Sequence, residues 1–303
     1  MSSVGLLTVR AAWHNARLDD LAVELSRPAV ARLFIGQIPE AVVKTVPYLY
    51  TLCAHAQRAA AQAALAAAQG EVRRPVDDAE LWGEVLHENL WRLLLDWPQA
   101  LGVEPAKAAF VAWRAARQGA DFGSATRQLL DTVLREISQK CLEKLVDRDH
   151  LDHPAADLPD TRFNPADWLA FSQGQVAMQP AGHRPSSVLA AYRARLAELE
   201  KAAQALAAGA PFPVAAAAAG GWGVGQTLTA RGVLTHAAQL VDGRVVNYRV
   251  HAPTDALFAD SAALTALLAG RTFDCLDEAR QAVDQAVLAL DPCVPYSVEL
   301  NHA

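Results

Sequence analysis

Residues 231–254 read RGVLTHAAQLVDGRVVNYRVHAPT. Asp242-Gly243 is a two-residue turn signal, and the valines, threonine and tyrosine on either side favour pleated strands. A hairpin over about 232–254 is therefore expected. It stands out because most of the preceding chain repeats at helical spacing. From Pro39, the stretch EAVVKTVPYLYTLCAHAQRAAAQAALAAAQG is alanine-rich, is broken once at Pro47 and stops at Gly70. Asp77 to Leu101, Pro105 to Arg117 and Gly123 to Val146 each place apolar residues three to four apart, as amphipathic helices facing a shared core do. Asp167 to Gln173 and Pro185 to Leu206 extend this helical middle, which covers about 39–206. Ser261 to Leu268 and Cys275 to Leu290 close the chain as helices, the last ending at Asp291-Pro292. Val4 to Val9 and Leu18 to Leu25 read as an N-terminal hairpin, and residues 147–165, rich in acids and proline, as a loop. The fold class is mainly α with small β hairpins (α+β), in a single domain over 1–303.

Composition narrows the function. Of 303 residues, 52% are hydrophobic and 20% charged, too apolar for a disordered chain and too mixed for a polytopic membrane protein. Lys and Arg number 27 against 33 Asp and Glu, a net charge of −6, with no basic block to neutralise phosphates, so no nucleic acid is expected as a partner. The uncharged run between Lys201 and Arg231 is interrupted by Gly209, Pro211, Pro213 and Gly220, which argues against a membrane span. Four scattered cysteines and an N-terminus without the features of an export signal point to the cytoplasm.

The cysteines are the first candidates for chemistry, because thiolates bind soft metals. Cys53 falls at a helix start, where the dipole favours thiolate. Cys293 follows the Asp-Pro that ends the last helix. Taken singly, each is more readily a small buried apolar side chain. Cys141 and Cys275, inside amphipathic segments, are assigned to packing. His55, His236 and His251 are possible extra ligands whose default role is packing or solvation. His150 and His153 are assigned to a solvated loop, and the pairs Asp78/Glu80 and Glu84/Glu88 to ordinary exposed helix charge.

Together, PYLYTLCAHAQRAAA (47–61) and ALDPCVPYSVELNH (289–302) resemble the paired cysteine motifs of the [NiFe]-hydrogenase large subunit. Arg231-Gly232, His236, Asp242-Gly243, Asn247-Tyr248 and Pro253-Thr254 are similar to that family's segment before its last motif, and FIGQIP (34–39) to the one before its first. The departures are as informative. Where the family has Cys-x-x-Cys-x-x-x-His, this chain has Tyr50, Cys53 and Gln57. Where it has Asp-Pro-Cys-x-x-Cys-x-x-His, this chain keeps Asp291, Pro292 and Cys293 but has Tyr296 and Glu299. The family's proton-relaying glutamate falls on Ala12. A four-thiolate nickel site cannot be assembled from two cysteines, so neither nickel nor hydrogen turnover is expected.

The resemblance implies a truncated large-subunit-like helical bundle, and within it a hydrogenase maturation protein of the HupK/HoxV type. On this reading Cys53 and Cys293 anchor iron carrying cyanide and carbon monoxide. Arg231, Thr254 and Pro253 would then face the diatomic ligands. The implied partners are a HypC-type chaperone and the immature large subunit. Two alternatives stand beside it: a metal-free docking module for assembly chaperones, and a hydrogen-reactive enzyme or sensor.

Overall fold

The computed structural model describes residues 5–71, 76–119, 121–146, 162–177 and 184–302. His150, His153 and most of the loop assigned to 147–165 lie outside these residues. The chain opens with strands β1 (Leu6–His14) and β2 (Arg17–Ser26), followed by a 3-10 turn at Val30–Phe34. Helices α1 (Pro39–Leu49), α2 (Ala54–Ala68) and α3 (Asp78–Trp91) come next, α3 running through a π turn at Arg92–Asp96 into α4 (Trp97–Ala100). Helix α5 (Lys107–Ala116) precedes α6 (Phe122–Leu129), which passes through a second π turn into α7 (Arg135–Val146); α8 (Pro165–Ser172) and α9 (Val188–Ala207) complete the helical middle. Then come strands β3 (Val214–Ala219), β4 (Trp222–Thr229), β5 (Gly232–Val241) and β6 (Arg244–His251), helices α10 (Pro253–Leu257), α11 (Ala262–Leu268) and α12 (Leu276–Leu290), and strand β7 (Tyr296–His302).

The α+β class and both hairpins are present. Asp242 and Gly243 have φ of 51° and 72°, the positive values that a two-residue hairpin turn demands. The sheet around that hairpin is larger than the sequence suggests, with order β3-β4-β5-β6. Strands β3 and β4 come from the Ala/Gly/Pro segment, where alanine and glycine have weak strand propensity and conceal the alternation. Helix α1 runs past Pro47, which sits in its last turn, so the break falls at Tyr50–Cys53. Cys275 is exposed at the start of α12, not packed inside it, whereas Cys141 is fully buried. Among the described residues, no helix is long and apolar enough to cross a membrane.

Two cores hold the site in place. The larger gathers α3, α5, α7 and α9 around Leu86, Leu90, Leu93, Trp97, Phe110 and Tyr192. The smaller packs α11 and α12 against the sheet of order β2-β1-β7, in which β1 and β7 run parallel. Helix α2, which contributes Ala56, Ala59 and Ala60 to the larger core, lies on β4. Gly223 and Gly225 leave no side chain there, so the helix backbone approaches the strand directly. This contact sets the start of α2, and with it Cys53, beside the strands that lead into Arg231.

Candidate site for a metal fragment

Cys53 is the buried residue just before α2. The side-chain amide of Gln57, one helical turn on, points its nitrogen at the Cys53 sulfur at 3.6 Å. The Gln57 oxygen is 2.8 Å from His236 Nε2, and His236 Nδ1 is 2.7 Å from the Tyr248 hydroxyl. Burial, followed by the influence of His251, pushes His236 down to about 3, so it is neutral at pH 7. An amide oxygen only accepts, so Nε2 carries the proton and Nδ1 accepts from Tyr248. Gln57, at the motif's histidine position, thus ties Cys53 to the sheet.

Burial pushes the Cys53 thiol up to about 12; Glu84 and Cys293 add to the rise, while Arg231 and Gln57 oppose it. Glu84 reaches from α3 to accept the backbone N–H groups of His55 (2.8 Å) and Ala56 (3.0 Å), which the first turn of α2 leaves unpaired. Burial raises Glu84 to about 7. Glu84 and Glu88 are therefore buried, hydrogen-bonded groups, not the exposed helix charges expected from their spacing.

Arg231 sits in the turn between β4 and β5, its guanidinium almost fully enclosed. Nη2 donates to Glu88 Oε2 at 3.0 Å and Nε to the Asp291 carbonyl at 3.1 Å, while Nη1 is buried with no hydrogen-bond partner. Burial works against its charge, but Asp291, then Glu88, Cys293 and Cys53 outweigh it and hold the pKa above the ordinary arginine range. Both sulfurs are thus within electrostatic reach of one guanidinium and of each other.

Cys293 follows a turn fixed by charge. Asp291 ends α12 in the left-handed region with φ 47°. Its carboxylate accepts from Arg92 (2.7 Å) and Arg195 (2.6 Å) and pairs with Arg231 (3.2 Å), while Arg92 also donates to the Pro292 carbonyl at 3.1 Å. Burial disfavours the charged form of Asp291, but Arg195, Arg231 and Arg92 overcome this and hold it below the usual carboxylate range. The Cys293 sulfur accepts from Arg27 Nη2 (3.0 Å) and Thr254 Oγ1 (3.1 Å), and the same Thr254 oxygen accepts the Cys293 N–H at 3.1 Å. Pro253 packs beside Gly232, whose backbone stands at a φ of +116°.

The structure therefore brings Cys53, Cys293, Arg231, Thr254 and Pro253 into one neighbourhood. Of the candidate histidines, His236 reaches Cys53 only through Gln57, and the other two are held by other partners. His55 pairs with Glu80 at 3.3 Å, and His251 packs on Trp168 with centroids 4.6 Å apart, its Nε2 buried without a partner. Tyr50 meets His236 edge-on at 6.4 Å. Tyr296 bonds to the Asp284 side chain, and Glu299 to Arg10 at 2.9 Å on the exposed face of β7. Arg27, Gln57, Glu84, Glu88, Arg92 and Arg195 were not legible as site residues, because each acts through a neighbour that only the fold supplies. Among the described residues, no group of three or more His, Cys, Asp or Glu side chains is arranged to hold a metal ion.

The architecture is that of a [NiFe]-hydrogenase large subunit. It superposes on the Ni-Fe-Se hydrogenase from D. vulgaris Hildenborough with a TM-score of 0.65 at 13% identity, covering 93% of this chain and 94% of that one. The match to an NAD+-reducing [NiFe]-hydrogenase has a TM-score of 0.55 at 15% identity, covering 92% and 93%. No protein-family model matches the sequence. Curated relatives are nearer. The hydrogenase expression/formation protein HupK of Azotobacter vinelandii is 30% identical over 95% of both chains, and HupV of Azotobacter chroococcum mcd 1 is 29% identical over 99% of both. HoxV of Cupriavidus necator is 26% identical over 99% of this chain and 97% of its own. The chain belongs to this HupK/HoxV family of hydrogenase expression/formation proteins.

Proposed function

We propose that the chain is a non-catalytic maturation scaffold that holds iron bearing cyanide and carbon monoxide between Cys53 and Cys293 before delivery to the hydrogenase large subunit. The observation that carries this reading is Arg231 Nη1, a buried donor without a partner in electrostatic reach of both sulfurs. Leaving such a donor unpaired costs about 1–3 kcal/mol, a cost removed by an acceptor such as metal-bound cyanide. Thr254 fits the same role: once the Cys293 sulfur gives its electron pair to iron, the Thr254 hydroxyl proton is released to turn toward a diatomic ligand. Two thiolates grip more weakly than four, which suits cargo that has to leave again. Tyr50 and Tyr296 stand where nickel would need sulfur, so iron without nickel is the expected load. A HypC-type chaperone would deliver the fragment and the immature large subunit would receive it, in the cytoplasm.

Infrared spectroscopy of protein purified anaerobically from cells making hydrogenase tests this. Cyanide and carbonyl stretching bands, with iron but no nickel by metal analysis, are expected, and Cys53→Ala or Cys293→Ala should abolish them. The contrary result is full hydrogenase maturation in cells carrying both alanine substitutions. That would favour a metal-free docking module, a reading supported by the Cys53 sulfur lying within the main apolar core. Hydrogen-dependent dye reduction with stoichiometric nickel would instead identify a hydrogen-reactive enzyme or sensor.

A further inference from the structure

Arg27 follows β2 and precedes Pro28, whose ring restricts the backbone there. Gly5 holds the same stretch from the other side: a Cβ on that glycine would stand 2.5 Å from the Ser26 carbonyl oxygen and 2.9 Å from Arg27 Cγ. Contact on one side and a proline on the other leave the long side chain as the part that can move. That side chain ends on Cys293. Nη2 donates to the sulfur at 3.0 Å, and Nε lies 3.2 Å from Asp255 Oδ1, an ion pair without hydrogen-bond geometry. Asp255 itself is fixed, because its other oxygen accepts the Ala252 N–H at 3.0 Å at the start of α10.

Arg231 is held differently. It donates to both Glu88 and the Asp291 carbonyl, and its side chain is only 4% exposed. The Arg27 side chain is 26% exposed and that of Asp255 39%, whereas Thr254 is buried. Arg27 and Thr254 both donate to the Cys293 sulfur, and of these two only Arg27 faces solvent. Turning it outward strands no buried carboxylate, since Asp255 is partly exposed and keeps the Ala252 N–H. Burial disfavours the Arg27 charge, but Cys293, Asp255 and Cys53 outweigh this, so the cation serves both sulfurs. Two thiolates cancel the charge of ferrous iron, and each cyanide on the metal then leaves the loaded site with a negative charge. A guanidinium over that complex is both counter-ion and hydrogen-bond donor.

We propose that Arg27 is the movable cover of the site. It rests on the Cys293 sulfur in the empty protein, swings toward solvent on its own side chain as the iron fragment passes, and closes over the anionic complex once both sulfurs are bonded. The passage of cargo rests on the scaffold reading, whereas the cover itself is testable on metal-free protein.

The reduced, metal-free full chain is treated with iodoacetamide and, separately, with a bulky uncharged maleimide, and mass spectrometry follows each cysteine. Exposed Cys275 calibrates the two reagents, and fully buried Cys141 reports misfolding. A change in the charge on the sulfur alters both rates together, so the ratio of maleimide to iodoacetamide reaction at Cys293 isolates the cover. Arg27→Ala should raise that ratio severalfold, and Asp255→Asn, which removes the ion pair but leaves the guanidinium, should raise it less. An unchanged ratio in Arg27→Ala overturns the inference; if Cys141 reacts in that variant, the milder Arg27→Gln decides on the same ratio. Protein carrying the infrared bands is then mixed with an iron chelator. Arg27→Gln should lose iron about tenfold faster or more, the effect that a charge at hydrogen-bond distance has on an ionic equilibrium. Equal rates overturn closure over the cargo. Lack of infrared bands in the unsubstituted chain would defeat the scaffold reading, while the ratio at Cys293 would still decide the cover.

Discussion

Gly225 in β4 lies so close to Ala60 of α2 that a Cβ on the glycine would stand 2.3 Å from the Ala60 carbonyl oxygen. Gly223 stands in the same relation to the Ala64 carbonyl, at 2.1 Å. Backbone atoms on the opposing side cannot swing away as a flexible side chain does. Gly225→Ala should therefore push α2 off the sheet and cost at least the ~3 kcal/mol at the upper end of ordinary overpacking. Urea denaturation measures the loss, and faster alkylation of Cys53 would show that the displacement reaches the site.

Gln57 bridges His236 and Cys53. Gln57→Leu strands the His236 Nε2–H in a buried site, at a cost of about 1–3 kcal/mol. Replacing both, as Gln57→Leu/His236→Leu, removes the stranded donor, so the double variant should lose less than the sum of the two single losses. A double-mutant cycle by chemical denaturation checks this non-additivity.

Glu84 carries a pH signature. Its pKa rises from 4.5 to about 7 on folding, so the folded state favours the protonated carboxyl. The stability this gives is complete below pH 4.5 and is lost as pH climbs through about 7. Glu84→Gln does not titrate, so relative to the unsubstituted chain it should gain stability between pH 5 and 8, by about 3 kcal/mol at most. Melting curves across that range measure the difference. His236 runs in the opposite sense: lowered to about 3, it contributes stability above pH 6.5 that is lost as pH falls toward 3.

Arg231 neutralises two buried carboxylates, Glu88 and Asp291. Arg231→Leu leaves Glu88 without its arginine partner and should cost about 3–5 kcal/mol by chemical denaturation. Asp291 retains Arg92 and Arg195, so the Asp-Pro-Cys turn should persist in a crystal structure of the variant.

Thiol accessibility gives a simple ordering. Iodoacetamide followed by mass spectrometry should modify Cys275 first, Cys293 more slowly, and Cys53 and Cys141 only on unfolding.

The 232–254 hairpin was legible because Asp242-Gly243 supplies the positive φ values its turn requires, and the amphipathic helices because their spacing is regular. Strands β3 and β4 were not, since their alanines and glycines are chosen for close contact with α2 and α8 and not for strand propensity. Cys53 and Cys293 could be paired across 240 positions only through resemblance. Glu84 and Glu88 show why the rest stayed hidden: two acids one turn apart on a helix look solvated until the fold brings Arg231 to one and the start of α2 to the other. Arg27, a lone cation after β2, had no local pattern at all.

After Cys293 the backbone departs along the first strand in parallel, with Val298 opposite Val9 and Glu299 opposite Arg10. An imidazole written at 299 would emerge on the exposed face of that sheet beside Arg10, which lies between position 299 and Glu24. A point change at 299 would therefore place its side chain on an outward sheet surface held by Arg10, and the course of the main chain, not the residue type, decides what that position can reach.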